Sequence, residues 1–177
     1  HPTIEAQVHD ELDRVLAGRT PTLDDLPQLG LVERVSSESM RLYPPAYVIP
    51  RVCTADSVIG GFEIPAGSDV VMWVYHTHRH PEVHADPLRF DPDRFLPERL
   101  RALPSCAYLP FGAGSRTCIG KRFALIEAQL LLATVAQSVT LRPSSSQPVR
   151  MDASVTLAPK GGLPMVVTRR RRHKSVA

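Results

Sequence analysis

The sequence predicts a mainly α-helical chain with small antiparallel β-sheets, an α+β fold. Two stretches near the N-terminus and one in the second half place apolar residues on one face of a helix. Elsewhere, short apolar runs are separated by Gly and Pro turns, a pattern typical of short paired strands. Because no repeat or long linker divides the 177 residues, we expect a single structural unit over residues 1–177.

Glycine and proline mark the ends of the predicted helices. Gly18 ends the first amphipathic pattern, and Pro44 ends the second because proline disfavours helix in the residue before it. Thr22 and the acidic residues after it predict a short capped turn between these two helices. The third helix follows Cys118 and is apolar on a broad face, which predicts packing inside a helical core. Helices are expected over residues 3–16, 22–27, 30–43 and 119–137.

Short strands account for most of the other apolar runs. Gly60-Gly61 and Pro65-Ala66-Gly67 are turn signals, which predicts antiparallel pairing of the runs beside them. Residues 159–162 predict another hairpin tip near the C-terminus. Strands are expected over residues 48–53, 58–59, 62–64, 70–75, 139–141, 155–157 and 165–168.

Charge and cysteine content exclude several classes of protein. Much of the net charge of +3 comes from a basic run in residues 169–177, for which we expect a disordered tail and no nucleic-acid binding. Cys53, Cys106 and Cys118 form no disulfide framework, which favours a reducing, cytoplasmic location. No apolar run approaches the roughly 20 residues that span a bilayer. The Ala, Arg and Pro content suggests a bacterial protein, and a membrane anchor ahead of His1 stays open.

A glycine-rich loop leads into the third helix. Gly112, Gly114 and Gly120 allow backbone conformations closed to other residues and let the chain pass close to a large flat ligand. Cys118 lies at the positive end of the helix dipole, a setting that favours thiolate over thiol. Arg116 adds a positive charge that suits a carboxylate. The loop indicates a thiolate iron ligand, and the plain alternative is a buried structural cysteine.

Three motifs in order carry a family resemblance. The loop contains Phe111-x-x-Gly114-x-Arg116-x-Cys118-x-Gly120, and Glu38-Ser39-Met40-Arg41 lies upstream on the second helix. Between them, Phe90-Asp91-Pro92-Asp93-Arg94-Phe95 has Asp where a Glu is more usual. Together they resemble the haem signature, the Glu-x-x-Arg motif and the Pro-acid-Arg-Phe segment of the cytochrome P450 family. The resemblance covers nearly the whole chain and only the C-terminal part of the family's fold.

The resemblance implies a haem b cofactor, iron protoporphyrin IX. Cys118 would be the axial iron ligand. Arg116 and Arg51 would bind the haem propionates, although Arg51 also suits a solvated strand end. The cofactor-binding loop residues are Phe111, Gly112, Gly114 and Gly120.

The Glu-x-x-Arg motif is expected to be structural. Glu38 and Arg41 lie three residues apart on a helix, which alone predicts an ordinary ion pair. The resemblance adds Arg94 and implies a buried charge network that holds the segment before the cysteine loop. Losing one member should then abolish folding or haem retention.

The implied activity is that of a haem-thiolate monooxygenase, which inserts one oxygen atom from O2 into a small apolar organic substrate. Val48, Ile49, Pro159 and Lys160 would lie near that substrate. Lys121 and Arg122 would form a basic patch for an electron donor, a ferredoxin or a flavin-containing reductase. The simpler interpretation of Lys121 and Arg122 is ordinary surface charge at the start of a helix.

Two alternatives stay open from the sequence. The family's central helix, with its acid-alcohol pair, is absent from these residues, so we expect this chain alone to be inactive as an oxygenase. It is then part of a working monooxygenase or a non-catalytic haem-binding or interaction remnant.

The histidines of residues 76–84 predict a zinc site only weakly, because no further ligands follow at zinc spacing.

Overall fold

A computed structural model describes residues 1–170, and it confirms the α+β class. Five α-helices lie in this part of the chain, together with 3₁₀ turns at Leu23–Gln28, Pro92–Phe95 and Gly114–Arg116. The helices are α1 (Pro2–Leu16), α2 (Gly30–Leu42), α3 (Val74–Thr77), α4 (Pro97–Ala102) and α5 (Lys121–Ser138). The strands are β1 (Ile49–Val52), β2 (Ser57–Ile59), β3 (Phe62–Ile64), β4 (Asp69–Met72), β5 (Val139–Pro143), β6 (Met151–Ala153), β7 (Leu157–Pro159) and β8 (Met165–Arg169).

The core lies where α1, α2 and α5 pack together. Its fully or nearly fully buried members are apolar side chains, and complete burial of each Val or Leu among them stabilises the fold by about 1.5–3 kcal/mol. They are Val8, Leu12, Leu16, Leu29, Val32 and Ala133. This core fixes α2 and α5 relative to each other, so it sets the distance between the two motifs that these helices carry.

The start of α2 is held by a carboxylate from α1. Glu11 accepts the Leu31 N–H at 2.9 Å and the Val32 N–H at 3.1 Å. These are N–H groups of the first helical turn, which have no partner within the helix. A negative charge also suits the positive end of the helix dipole, so this contact ties the two helices in one orientation.

Four two-stranded antiparallel ladders flank the helices within residues 1–170. They pair β1 with β4, β2 with β3, β5 with β8, and β6 with β7. The β2–β3 ladder confirms the hairpin predicted around Gly60-Gly61. The strands beside Pro65-Ala66-Gly67 do not pair with each other as predicted, because β4 pairs with β1, which places Arg51 opposite Val70. The predicted strand over residues 70–75 is too long, because β4 ends at Met72 and the buried Val74 begins α3.

The C-terminal hairpin differs from the prediction over residues 155–157 and 159–162. β6 pairs with β7, so residues 154–156 form the tip and Pro159 pairs with Met151. Residues 160–164 connect β7 to β8, whose partner is β5. The apolar Val155 suggested a strand, but its place in the tip leaves it 94% exposed.

The predicted disordered tail begins too early at residue 169. Arg169 ends β8, and the Arg170 guanidinium donates to Asp13 on α1, with Nη1 3.0 Å from Oδ1. Arg142 of β5 makes a second ion pair with α1, at 2.8 Å from Glu5. The rest of the predicted tail, residues 171–177, lies outside the described residues.

Candidate functional site

The cysteine loop is closed by backbone hydrogen bonds. The Cys118 N–H donates to the Phe111 carbonyl at 2.9 Å, and the Lys121 N–H donates to the Cys118 carbonyl at 3.3 Å. α5 begins at Lys121 with Gly120 as its N-cap. Cys118 is exposed, so the loop presents its thiol at the helix start as predicted.

The loop glycines serve different purposes. Gly112 has φ +72° and Gly114 has φ +68°, a left-handed conformation that other residues adopt at a cost. Gly120 has φ −82°, so the prediction that it needs glycine's backbone freedom is wrong. A Cβ at Gly120 would lie 3.8 Å from the Cys118 sulfur, so glycine keeps the space beside the thiol free.

Replacing Gly112 with alanine is expected to lower the free energy of unfolding by about 1–2 kcal/mol, because alanine is strained at a positive φ. The added Cβ would lie 3.6 Å from Ile49 Cδ1, an ordinary contact, so strain dominates the cost. Gly30→Ala is the matched control, because Gly30 begins α2 without a positive φ and alanine is the better helix former, so no loss of stability is expected there. Urea unfolding of both variants measures this difference, and equal costs would contradict it.

Arg51 and Arg116 lie on the same cleft. The cleft has a volume of about 530 Å³ and is lined by Pro50, Arg51, Val52 and Arg116. Arg51 comes from β1 and Arg116 from the cysteine loop, two residues before the exposed thiol. Two guanidinium groups facing one space suit a ligand with two carboxylates, because Arg binds carboxylates through paired N–H donors.

Glu38 and Arg41 form a fully buried ion pair on α2. Arg41 Nε lies 2.6 Å from Glu38 Oε2, and Arg41 Nη2 lies 2.8 Å from Oε1; both side chains have 0% exposure. Arg41 also donates to the carbonyls of His78 and Pro87 at 2.8 Å and of Arg89 at 3.2 Å. The pair therefore holds the irregular segment that leads to the cysteine loop, which a surface pair would not do.

Arg94 joins this pair at its edge. Its Nε lies 3.5 Å from Glu38 Oε1, and its Nη2 donates to the Asp86 carbonyl at 2.9 Å. Among the described residues, Arg94 Nε has no hydrogen-bond partner, so its link to Glu38 is an attraction between charges. The backbone N–H of Asp91 also donates a hydrogen bond to the Glu38 carboxylate, at 2.8 Å.

The sequence of this chain also matches the model of a known protein family. The family model described as "Cytochrome P450" matches residues 1–165. The chain belongs to the cytochrome P450 family.

The relatives and solved structures of this cytochrome P450 agree on the family and on the part of the fold. A cyclooctat-9-en-7-ol 5-monooxygenase from Streptomyces melanosporofaciens is 46% identical over 81% of this chain and 31% of the relative. A pentalenene oxygenase from Streptomyces avermitilis is 43% identical over 82% of this chain and 33% of the relative. The crystal structure of the cytochrome P450DA heme domain superposes with a TM-score of 0.91 and 35% identity, covering 98% of this chain and 38% of that one. The chain thus spans about a third of the length of these relatives and corresponds to the C-terminal part of the P450 fold.

The sequence predicts no role for His78 beyond the weak zinc hypothesis for residues 76–84. Its ring is fully buried, and its Nε2 accepts the Leu109 N–H at 2.7 Å, just before the cysteine loop. Burial lowers the pKa of His78 to about 4, which keeps the ring neutral. Within residues 1–170 no three metal-ligating groups come together, so the histidines of residues 76–84 do not form the zinc site considered from the sequence.

The residues predicted to lie near substrate fall in two places. Val48 and Ile49 lie at the start of β1, and Ile49 is near Gly112. Pro159 and Lys160 lie at the base of the β6–β7 hairpin, since Pro159 pairs with Met151 and the Lys160 N–H donates to the Arg150 carbonyl at 2.8 Å. The β6–β7 tip is what reaches this end of β1, because the Tyr47 hydroxyl donates to the carbonyls of Ala153 at 2.6 Å and Ser154 at 3.0 Å.

The predicted electron-donor patch lies next to the thiol. Lys121 and Arg122 are exposed in the first turn of α5, beside Cys118. The same helix also exposes apolar side chains, with Phe123 71% and Leu131 58% accessible. In residues 1–170, no helix combines the length and hydrophobicity that a membrane crossing requires.

Proposed function

We propose that this chain is the proximal, haem-binding part of a haem-thiolate monooxygenase, with Cys118 as the axial iron ligand. The observation that carries this proposal is the exposed thiol at the start of α5, beside a cleft lined by two guanidinium groups. Family membership supports haem as the cofactor. The type of haem that we propose is haem b.

The residues present fit this cofactor. A Cβ at Gly120 would contact the Cys118 sulfur at 3.8 Å, so glycine at this position leaves that side of the thiol open. Arg51 and Arg116 match the two propionates in number and charge, and Phe111, Gly112 and Gly114 would hold the group as part of the loop that carries the thiol. When bound, a thiolate-ligated haem supplies the oxygen-activating redox chemistry. The chain's own residues bind and orient the group and hold the ligating sulfur in place.

Electrons and substrate are expected to approach from opposite sides of this site. We propose that Lys121 and Arg122 receive an acidic ferredoxin or a flavin-containing reductase, because their exposed charges lie beside the thiol. We further propose an apolar organic substrate, in line with relatives named for cyclooctat-9-en-7-ol and pentalenene. We assign Val48, Ile49 and the β6–β7 tip to the substrate, because the Tyr47 hydroxyl donates to the carbonyls of that tip. Pro159 and Lys160 lie at the base of the same hairpin, and their place near the substrate stays a prediction.

A cytoplasmic location is also proposed. All three cysteines, Cys53, Cys106 and Cys118, lie in the described part of the chain and are free. Free thiols of this kind persist in a reducing compartment.

Cys118→Ser is expected to abolish thiolate ligation of the haem. A serine hydroxyl does not supply the thiolate that shifts the Soret band of the reduced carbon monoxide complex to the red. The measurement is that difference spectrum after reconstitution with haem. Cys106→Ser is the matched control, since Cys106 is also an exposed cysteine and lies outside the glycine-rich loop.

The proposal predicts the red-shifted band for the unmodified protein and for Cys106→Ser, and its loss in Cys118→Ser. A band that survives in Cys118→Ser would refute Cys118 as the ligand. Because this chain alone is expected to be inactive, oxidation of an apolar substrate by a longer protein that contains it, with an added electron donor, separates a monooxygenase from a protein that binds haem without oxygenase activity.

A further inference from the structure

His78 connects two parts of the molecule through different atoms. Its main-chain carbonyl accepts Arg41 Nη1 at 2.8 Å, so its position is fixed by the buried Glu38–Arg41 pair. Its side-chain Nε2 accepts the Leu109 N–H at 2.7 Å. One residue, fully buried, therefore lies between the ion pair on α2 and the chain that enters the cysteine loop.

Further hydrogen bonds continue from Leu109 to the cysteine. The Leu109 carbonyl accepts the Gly112 N–H at 3.1 Å, and the Phe111 carbonyl accepts the Cys118 N–H at 2.9 Å. The Gly112 N–H and the Phe111 carbonyl belong to the same peptide unit, which is planar and rigid. Fixing one end of that unit therefore fixes the direction in which the other end holds Cys118.

We propose that His78 is a positioning residue that connects the Glu38–Arg41 ion pair to the cysteine loop by accepting the Leu109 N–H. The part of this inference that concerns haem ligation rests on the proposed function of Cys118. The part that concerns the loop itself does not, because every contact in it is made within the protein.

The chemistry of the ring suits this task. Nε2 must be unprotonated to accept an N–H, so the neutral ring carries its proton on Nδ1, which is buried and has no hydrogen-bond partner among the described residues. Burial favours the neutral ring and lowers the pKa of His78 to about 4, and the nearby His84 and Arg41 act in the same direction. The ring also packs against Tyr108, with ring centroids 5.1 Å apart, which limits its rotation.

A competing anchor lies one residue away. The Tyr108 hydroxyl donates to the Ser37 carbonyl on α2 at 3.0 Å. If that bond alone held the entry to the loop, the acceptor on His78 would be dispensable. The decisive comparison is therefore between variants that keep and remove an acceptor at the Nε2 position.

His78→Gln and His78→Asn form this matched pair. A glutamine carbonyl oxygen reaches the place of Nε2, whereas the asparagine oxygen ends near the place of Nδ1, short of Leu109. Amide hydrogen exchange in the haem-free protein gives the first readout. We expect exchange of the Leu109 amide to accelerate roughly tenfold in His78→Asn relative to His78→Gln, as for the loss of one hydrogen bond. The Leu12 amide, in the fully buried core, reports global stability and serves as the reference.

The haem-loaded protein gives the second readout. We expect a smaller thiolate-ligated fraction in the reduced carbon monoxide spectrum of His78→Asn, with rescue by His78→Gln. Equal Leu109 exchange in the two variants, or acceleration only in step with Leu12, would overturn the inference. Loss of the thiolate band in the unmodified protein would instead refute the proposed function and leave the exchange result valid. If neither variant folds, a scalar coupling between Leu109 15N and His78 15Nε2 in the unmodified protein tests the bond directly, and its absence overturns the inference.

Discussion

Replacing Arg41 with methionine is expected to lower the free energy of unfolding by about 3–5 kcal/mol, because it leaves the Glu38 carboxylate buried without its main partner. The variant also loses the hydrogen bonds from Arg41 to the carbonyls of His78, Pro87 and Arg89. Arg94 does not compensate, since its Nε lies 3.5 Å from Glu38 at the edge of the network. Urea unfolding at neutral pH measures the change.

Arg142→Met is the matched control for this prediction. Arg142 also pairs with a glutamate, at 2.8 Å from Glu5, but its side chain is 55% exposed and water replaces the partner when it is lost. We expect little change in stability. Similar costs for Arg41→Met and Arg142→Met would contradict the view that burial decides the effect.

The double variant Glu38→Met/Arg41→Met tests the cause more closely. Replacing both members removes the unpaired buried charge, so its cost should be clearly below the sum of the two single costs. Additive costs would mean that the lost contacts to the neighbouring carbonyls, and not the buried charge, dominate.

The sequence predicted α1, α2 and α5 well because their ends depend on local signals, but it did not predict the short helices α3 and α4. The observed α1, α2 and α5 begin and end within a few residues of the predicted bounds. Gly18 and Pro44 mark these ends through backbone conformation, which neighbouring residues alone determine. The loop motif and the Glu38–Arg41 pair were also predicted in the right arrangement, because their spacing is short and belongs to the family.

Two errors have different causes. Val155 suggested a strand, but β6 and β7 are defined by pairing with each other, and Val155 lies in the tip between them. Arg170 was assigned to a disordered tail, although it pairs with Asp13, 157 positions away. The first error concerns the register of a short hairpin, whereas the second concerns a distant contact that no local pattern predicts.

His78 shows the same limit within the site. Its neighbours suggested at most a metal ligand, because alternating histidines do not reveal which of them is buried. The structure makes this one a neutral acceptor for Leu109, at the end of a four-residue helix. Only the packing of Tyr108 and α2 around the ring decides this, and that packing is tertiary.

The free energy of unfolding is expected to fall as the pH is lowered from about 6.5 towards 4, by up to about 3 kcal/mol from His78 alone. Burial is the main cause, since it lowers the pKa of His78 from an ordinary 6.5 to about 4 in the folded protein. Charges on His84 and Arg41 add to this effect, and the backbone of Arg41 and Met40 opposes it. Between the two pKa values the unfolded chain binds a proton that the native state does not, so acid favours unfolding.

His78→Gln isolates this contribution because glutamine does not titrate. His84 and His9 also have pKa values lowered mainly by burial, so both remain as a background slope of the same sign in the variant. Urea unfolding of both proteins at several pH values between 7 and 4.5 gives the two slopes. We expect the slope of the variant to be shallower by up to about 1.4 kcal/mol per pH unit, the limit for one proton.

The comparison concerns the slopes of stability against pH, so a constant stability cost of the substitution does not affect it. Identical slopes would show that His78 titrates alike in the folded and unfolded states, which a neutral, buried acceptor of the Leu109 N–H does not do.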